Sequence, residues 1–160
     1  MSKIAIVGHA QEKFNTVTER ATRLIIRKIL SEAINPVLVS GHSPMGGVDI
    51  YAEEIATELS IPMEIYKPRN NTWEGGFKDR NIEIANACDE IHVIVVKDYL
   101  TNFAGLRHEA CYHCKCARPE HIKSGGCWTG NRALKQGKRT TWWVVEGDGD
   151  YEGHKYIPLG

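Results

Sequence analysis

Pro36-Val37-Leu38-Val39-Ser40-Gly41-His42-Ser43-Pro44-Met45-Gly46-Gly47-Val48-Asp49 passes from a short apolar run, through a loop of small residues, into a segment with helical spacing. The run that ends at Ser40 has the length and the Val/Leu content of a buried strand. Residues 49–59 place their apolar side chains on one face of a helix. Strand, tight loop and helix in that order let backbone N–H groups and a helix N-terminus converge on one anion, usually a phosphate. The stretch therefore predicts an α/β unit and a nucleotide-type ligand. It is neither a Walker A loop, since no Lys-Ser/Thr follows the glycines, nor a dinucleotide fingerprint.

Outward from this unit, the apolar pattern keeps switching between short runs and helical spacing, as it does in α/β domains. Strands are predicted over residues 3–7, 37–40, 62–66, 90–96 and 140–145, and helices over 16–32, 48–59, 77–87 and 128–136. Asn15 or Thr16 is a plausible N-cap for the first helix, whose apolar face is predicted to carry Val17, Ala21, Leu24, Ile25, Lys28 and Ile29. Glu90-Ile91-His92-Val93-Ile94-Val95-Val96 is near-continuously apolar, as a central parallel strand should be. The expectation is a three-layer, Rossmann-like α/β domain spanning residues 1–160, with a mainly parallel sheet of about five strands. Residues 99–127 form an irregular Cys/His-rich insertion, too long for an ordinary connection. The tail from residue 147 gives no definite element.

At 160 residues and 42% hydrophobic content the chain suits one domain with a real core. Lys plus Arg equals Asp plus Glu at 20 each, so the net basic footprint of a duplex-DNA binder is missing. The first eight residues read as a strand rather than a signal peptide, and no run approaches the roughly 20 apolar residues of a membrane span. A cytoplasmic protein without membrane partners is expected. Five cysteines, an odd number, argue against a disulfide framework and for thiols or metal ligands.

Ligands of open parallel sheets bind beyond the C-terminal strand ends, near the topological switch point. Gly8-His9 and Ser40-Gly41 both end strands and are expected at that edge. Gly46, Gly47 and Asp49 complete the first loop, where Asp49 could cap the helix or contact a ligand hydroxyl. Arg80 and Asn81 stand near the start of a helix, where the macrodipole disfavours a cation; a bound phosphate would remove that conflict. Ser124-Gly125-Gly126-Cys127-Trp128-Thr129 is a second glycine-bearing approach to a helix, with Asn131 and Arg132 close behind. Trp128 is read as core or as a stacking surface for a base.

In this order and spacing, these motifs resemble the SLOG superfamily, the Rossmann-like group that includes DprA, the LOG cytokinin-activating enzymes and small YspA-like proteins. The last of these are the most similar, and the resemblance covers residues 3–145. It implies a pocket for nucleotides or nucleotide-derived ligands lined by Gly8, Gly41, Gly46, Gly47, Asp49, Arg80, Asn81, Gly125, Gly126 and Thr129. His9, Ser40 and Ser124 join the set by their position at the same edge. The resemblance also implies a homodimer built through helices. Two positions depart from the family. Arg132 replaces the Glu with which LOG enzymes cleave an N-glycosidic bond, and His42 replaces a glycine.

Cys111, Cys114, His121 and Cys127 give Cys-x2-Cys-x6-His-x5-Cys, a spacing suited to a structural zinc knuckle, with Cys116 as a rival ligand. No redox cofactor is implied. Three functions follow: a binder of a phosphorylated nucleotide or derivative, an enzyme cleaving such a ligand's N-glycosidic or phosphate bond, and a nucleic-acid module on the Cys/His-rich segment. The third ranks last, because its basic cluster (Lys115, Arg118, Lys123) is short. For the second, Asp49, Glu53, Asp79 and Glu109 are candidate acids, and His9 or His42 could carry protons. Most of these carboxylates read more simply as solvated helix faces.

Overall fold

The computed structural model describes residues 2–97 and 124–156. Five strands, β1 (Ser2–Gly8), β2 (Pro36–Ser40), β3 (Met63–Ile65), β4 (Glu90–Val96) and β5 (Arg139–Val145), are mutually parallel. A sixth, β6 (Tyr151–Tyr156), runs antiparallel to β5, and the sheet order is β3-β2-β1-β4-β5-β6. The chain moves outward from β1 in one direction through β2 and β3, then returns to β4 and moves the other way. The switch point is thus the crevice between the C-terminal ends of β1 and β4. This is a Rossmann-like α/β arrangement.

Helices α1 (Thr16–Glu32) and α2 (Val48–Glu58) cover one face of the sheet. Ile25, Ile26, Ile29, Leu30, Tyr51, Ala52 and Ile55 pack there on Ile4, Ile6, Leu38, Ile94 and Val96. Helices α3 (Lys78–Ala87) and α4 (Gly125–Lys135) cover the other. Ile84, Ala85, Cys127 and Ala133 meet Val7, Val39, Val93, Val95 and the fully buried Trp142. Both faces of β1 and β4 are covered, which is why those strands read as unbroken apolar runs. Cys88 lies in the second core, as its isolation from the other cysteines suggests.

The structure corrects the expected face of α1. Val17 and Leu24 are 48% and 58% exposed and Lys28 is exposed, whereas Thr18, Thr22, Ile26 and Leu30 turn inward. The cap sets this rotation. Asn15 accepts from the Thr18 N–H at 2.8 Å while Thr18 accepts from the Asn15 N–H at 2.9 Å, a reciprocal box that draws Thr18 against the sheet. Helix α4 starts earlier than its apolar pattern suggests, so Gly125 and Gly126 are helical rather than part of the loop. The sheet has a sixth strand beyond the five expected. The segment before α3 is not all loop: Trp73–Phe77 forms a short wide turn through Gly75 at φ 78°. Among the described residues no helix is long and apolar enough to cross a membrane.

Candidate ligand site at the sheet edge

The crevice is closed at its base by main chain. The His9 N–H donates to the Ile94 carbonyl at 3.3 Å, and the Val96 N–H donates to His9 Nδ1 at 3.0 Å. A ring nitrogen that accepts cannot carry the proton, so neutral His9 holds it on Nε2. The His9 carbonyl in turn accepts from the Val48 N–H at 3.1 Å, which ties the start of α2 to the end of β1. Gly47 makes that approach possible: a Cβ there would strike the His9 carbonyl oxygen, and its φ of 85° is one that L side chains rarely adopt. As the N-cap of α2, Gly47 offers no side-chain hydrogen bond to the helix's first N–H groups.

Arg80 enters from the other face of the sheet, out of the first turn of α3. Its guanidinium lies where a Gly41 side chain would stand; Nη1 donates to the Gly41 carbonyl at 2.6 Å and Nε to Asn81 Oδ1 at 2.8 Å. Its Nη1 is also 3.7 Å from Asp49 Oδ2. Burial pulls the guanidinium below its ordinary range, and Asp49 opposes that only in part. Asp49, on the first turn of α2, accepts from the Ser43 N–H at 3.1 Å. Burial raises its carboxyl to about 6 despite the opposing pull of Arg80 and the Ser43 N–H. Desolvation outweighs the ion pair at both partners, as expected of a pair longer than a hydrogen bond.

One helical turn beyond Asp49, Glu53 is buried rather than solvated, which corrects the reading of it as a surface carboxylate. Its Oε2 accepts from Ser40 Oγ at 2.7 Å, and its Oε1 lies 2.7 Å from His42 Nδ1. The His42 N–H donates to Ser40 Oγ at 3.3 Å, and φ of 47° at His42 turns the ring back over the helix. The sequence signal for Glu53 was available: four residues after Asp49, it shares that residue's helix face.

The second approach lies beside the first. A Cβ on Gly126 would sit 2.9 Å from Gly8 Cα, so α4 rests directly on the end of β1, and one on Gly125 would sit 3.7 Å from Asn81 Nδ2. Gly8, His9, Ser40, Gly41, Gly46, Gly47, Asp49, Arg80, Asn81, Ser124, Gly125 and Gly126 are thus linked contact by contact along one edge. Gly46 joins through its packing on Gln11. Several of the polar groups already serve the fold. Ser124 Oγ caps α4 by accepting from the Cys127 N–H at 2.9 Å, and the buried Thr129 donates back to the Gly125 carbonyl at 2.9 Å. Trp128 is half-buried, edge-on to Trp73 with ring centroids 5.1 Å apart, and the exposed Arg132 lies over it at 5.7 Å. Asp79 is exposed.

Of the expected zinc ligands, Cys111, Cys114, Cys116 and His121 lie outside the described residues, as does Glu109; Cys127 is buried in the second core. Among the described residues no group of three or more His, Cys, Asp or Glu side chains is placed to hold a metal. A separate groove of about 530 Å³ runs along α1, lined by Gln11, Phe14, Arg20, Arg23, Leu24 and Arg27 among others. Arg23 is paired with Glu19 and Glu54 and Arg27 with Glu58, so most of its cationic charge is compensated. Comparison of the chain with family models, with curated proteins and with solved structures gives no match.

Proposed function

We propose that the protein binds a phosphorylated nucleotide or nucleotide derivative at the C-terminal edge of the sheet, in the mouth between the turns after β1 and β2 and the start of α3. One observation carries the reading: a buried guanidinium lies over a glycine beside a helix N-terminus that no side chain caps. Arg80's hydrogen bonds within the described residues engage two of its five N–H donors. Its remaining donors and the N–H groups of Asp49 and Ile50, which follow the engaged Val48 N–H at the start of α2, are the kind of groups that grip phosphate oxygens. The similarity of the motifs to the SLOG superfamily supports the same ligand class.

Thermal denaturation with AMP, GMP, CMP, UMP, ADP-ribose, NAD and inorganic phosphate tests it. At least one nucleotide should raise the melting temperature by several degrees at a hundredfold excess over its Kd, and phosphate alone by less. Gly41→Ala, which displaces the Arg80 guanidinium while retaining its charge, should lower that nucleotide's affinity at least tenfold. A flat response across the panel overturns the reading. Chromatography of the same mixtures reports turnover: release of free base or of phosphate would make the binder an enzyme.

A further inference from the structure

The mouth holds one carboxylate too many for an anion site. Asp49 and Glu53 are both buried, and among the described residues the guanidinium beside them is Arg80's, 3.7 Å from Asp49, so a phosphate arriving there meets more carboxylate than cation. Two buried like charges near an incoming anion oppose it strongly unless a proton enters with the ligand. His42 is placed to take that proton. Its Nδ1 is fixed on Glu53 Oε1 at 2.7 Å, and a carboxylate can only accept, so the ring's proton sits on Nδ1 and Nε2 keeps its lone pair. The His42 side chain is 43% exposed against 11% for Glu53, so the ring spans from the buried carboxylate to solvent.

We propose that His42 is a ligand contact that binds phosphate only with a proton: Nε2 takes a proton from solvent as the ligand arrives and donates it in a hydrogen bond to a phosphate oxygen. The imidazolium then lies between two anions, Glu53 on Nδ1 and the ligand on Nε2. Ser40, which donates to the other Glu53 oxygen at 2.7 Å, keeps the carboxylate in place throughout. The charged groups near the ring are Glu53, in contact with Nδ1, and Asp49, both from α2, with Arg80 from α3 beside Asp49. The inference rests on the proposed phosphate site and names the group that regulates it. Binding is thereby coupled to pH, tighter in acid and weaker in base.

Isothermal calorimetry with AMP and with ADP-ribose, at pH 7.5 in buffers of different ionisation enthalpy, counts the protons taken up. ADP-ribose is the cleaner probe, because its pyrophosphate does not titrate near neutrality. The wild-type chain should take up about half to one proton per ligand, and its affinity should fall up to about tenfold per pH unit between pH 7 and 8.5. His42→Gln should abolish the uptake and flatten the pH profile. Asp49→Asn should keep the uptake, which separates His42 from the other titratable group in the mouth. Binding without proton uptake, or uptake lost in Asp49→Asn and kept in His42→Gln, overturns this inference and leaves the proposed site standing. Binding of neither probe overturns both.

Discussion

The turn after β2 and the first turn of α4 each carry a Gly-Gly pair at a helix N-terminus beside the end of β1, yet they are built to different ends. Gly46 and Gly47 hold φ values of 71° and 85° and leave α2 without a side-chain cap. Arg80 lies over Gly41 in the same loop, Asp49 accepts from that loop's Ser43 N–H, and Glu53 holds Ser40 and His42. Gly125 and Gly126 are ordinary helical residues, and Ser124 caps the helix they begin. Their neighbours are Gly8, Asn81 and core. In the turn after β2 glycine supplies a backbone conformation, and the helix end is left without a side-chain cap. In the second it supplies room for a helix to touch a strand, and the helix end is satisfied by its own chain. A Gly-Gly pair before a helix does not distinguish the two; the residue before the helix does.

The widest test of this contrast is alanine at the inner glycine of each pair. Gly47→Ala forces a left-handed φ on an L residue and drives its Cβ into the His9 carbonyl, the acceptor that anchors α2. It should lose about 3 kcal/mol or more in urea unfolding. Gly126→Ala keeps a helical φ, but its Cβ meets the Gly8 backbone at 2.9 Å and α4 must shift off the end of β1, so a loss of about 1–3 kcal/mol, smaller than at Gly47, is expected. Equal losses would mean that both turns are merely tight packing.

Asp49 sharpens the contrast from the electrostatic side. Its carboxyl titrates at about 6 in the fold against 3.8 in the unfolded chain. Between those values the native state holds more protons than the unfolded one, so its contribution to stability declines as pH rises and is fully lost above about 6. Asp49→Asn removes that penalty. The variant should match the wild type near pH 4 and exceed it by about 2–3 kcal/mol at pH 8, measured as the difference in unfolding free energy across pH. A variant less stable at pH 8 would show that the Arg80 pair outweighs desolvation.

Much of this was legible in the sequence because burial leaves a periodic trace. β1, β2, β4, β5 and the four helices are apolar on the faces they bury, so their pattern places them to within a few residues, whereas β3, with Met63 and Ile65 exposed, buries little. β6 was not legible: Tyr-Glu-Gly-His-Lys-Tyr has little to bury and is exposed along most of its length. It is a strand because β5 pairs with it and because the turn through Gly149, at φ 94°, returns the chain alongside. The face of α1 was misread for a related reason, since Val17 and Leu24 count as apolar while the capping box turns Thr18 inward. In the site, the conflict of a cation near a helix start pointed to Arg80. The structure relieves that conflict with the Gly41 carbonyl and Asp49 rather than by ligand alone. The His42–Glu53 pairing left no local trace, because eleven positions and a left-handed turn separate its members.

The smallest expected effect tests the second turn's half of the comparison. Ser124 Oγ accepts from the Cys127 N–H at 2.9 Å, the third residue of the helix, which is the geometry of an N-cap. If capping is what Ser124 contributes, stability should follow the capping scale and not side-chain size. Ser124→Asp should stay within a few tenths of a kcal/mol of wild type, with Ser124→Gly close behind and Ser124→Ala about 1 kcal/mol lower. Denaturant midpoints with an unchanged m value would read that order directly. Equal losses for Ala and Asp would break it, because an acid at a helix start also gains from the macrodipole and has no reason to fail there unless another anion occupies the place. That outcome would move the anion site from α2 toward α4 and reverse the assignment of the two turns.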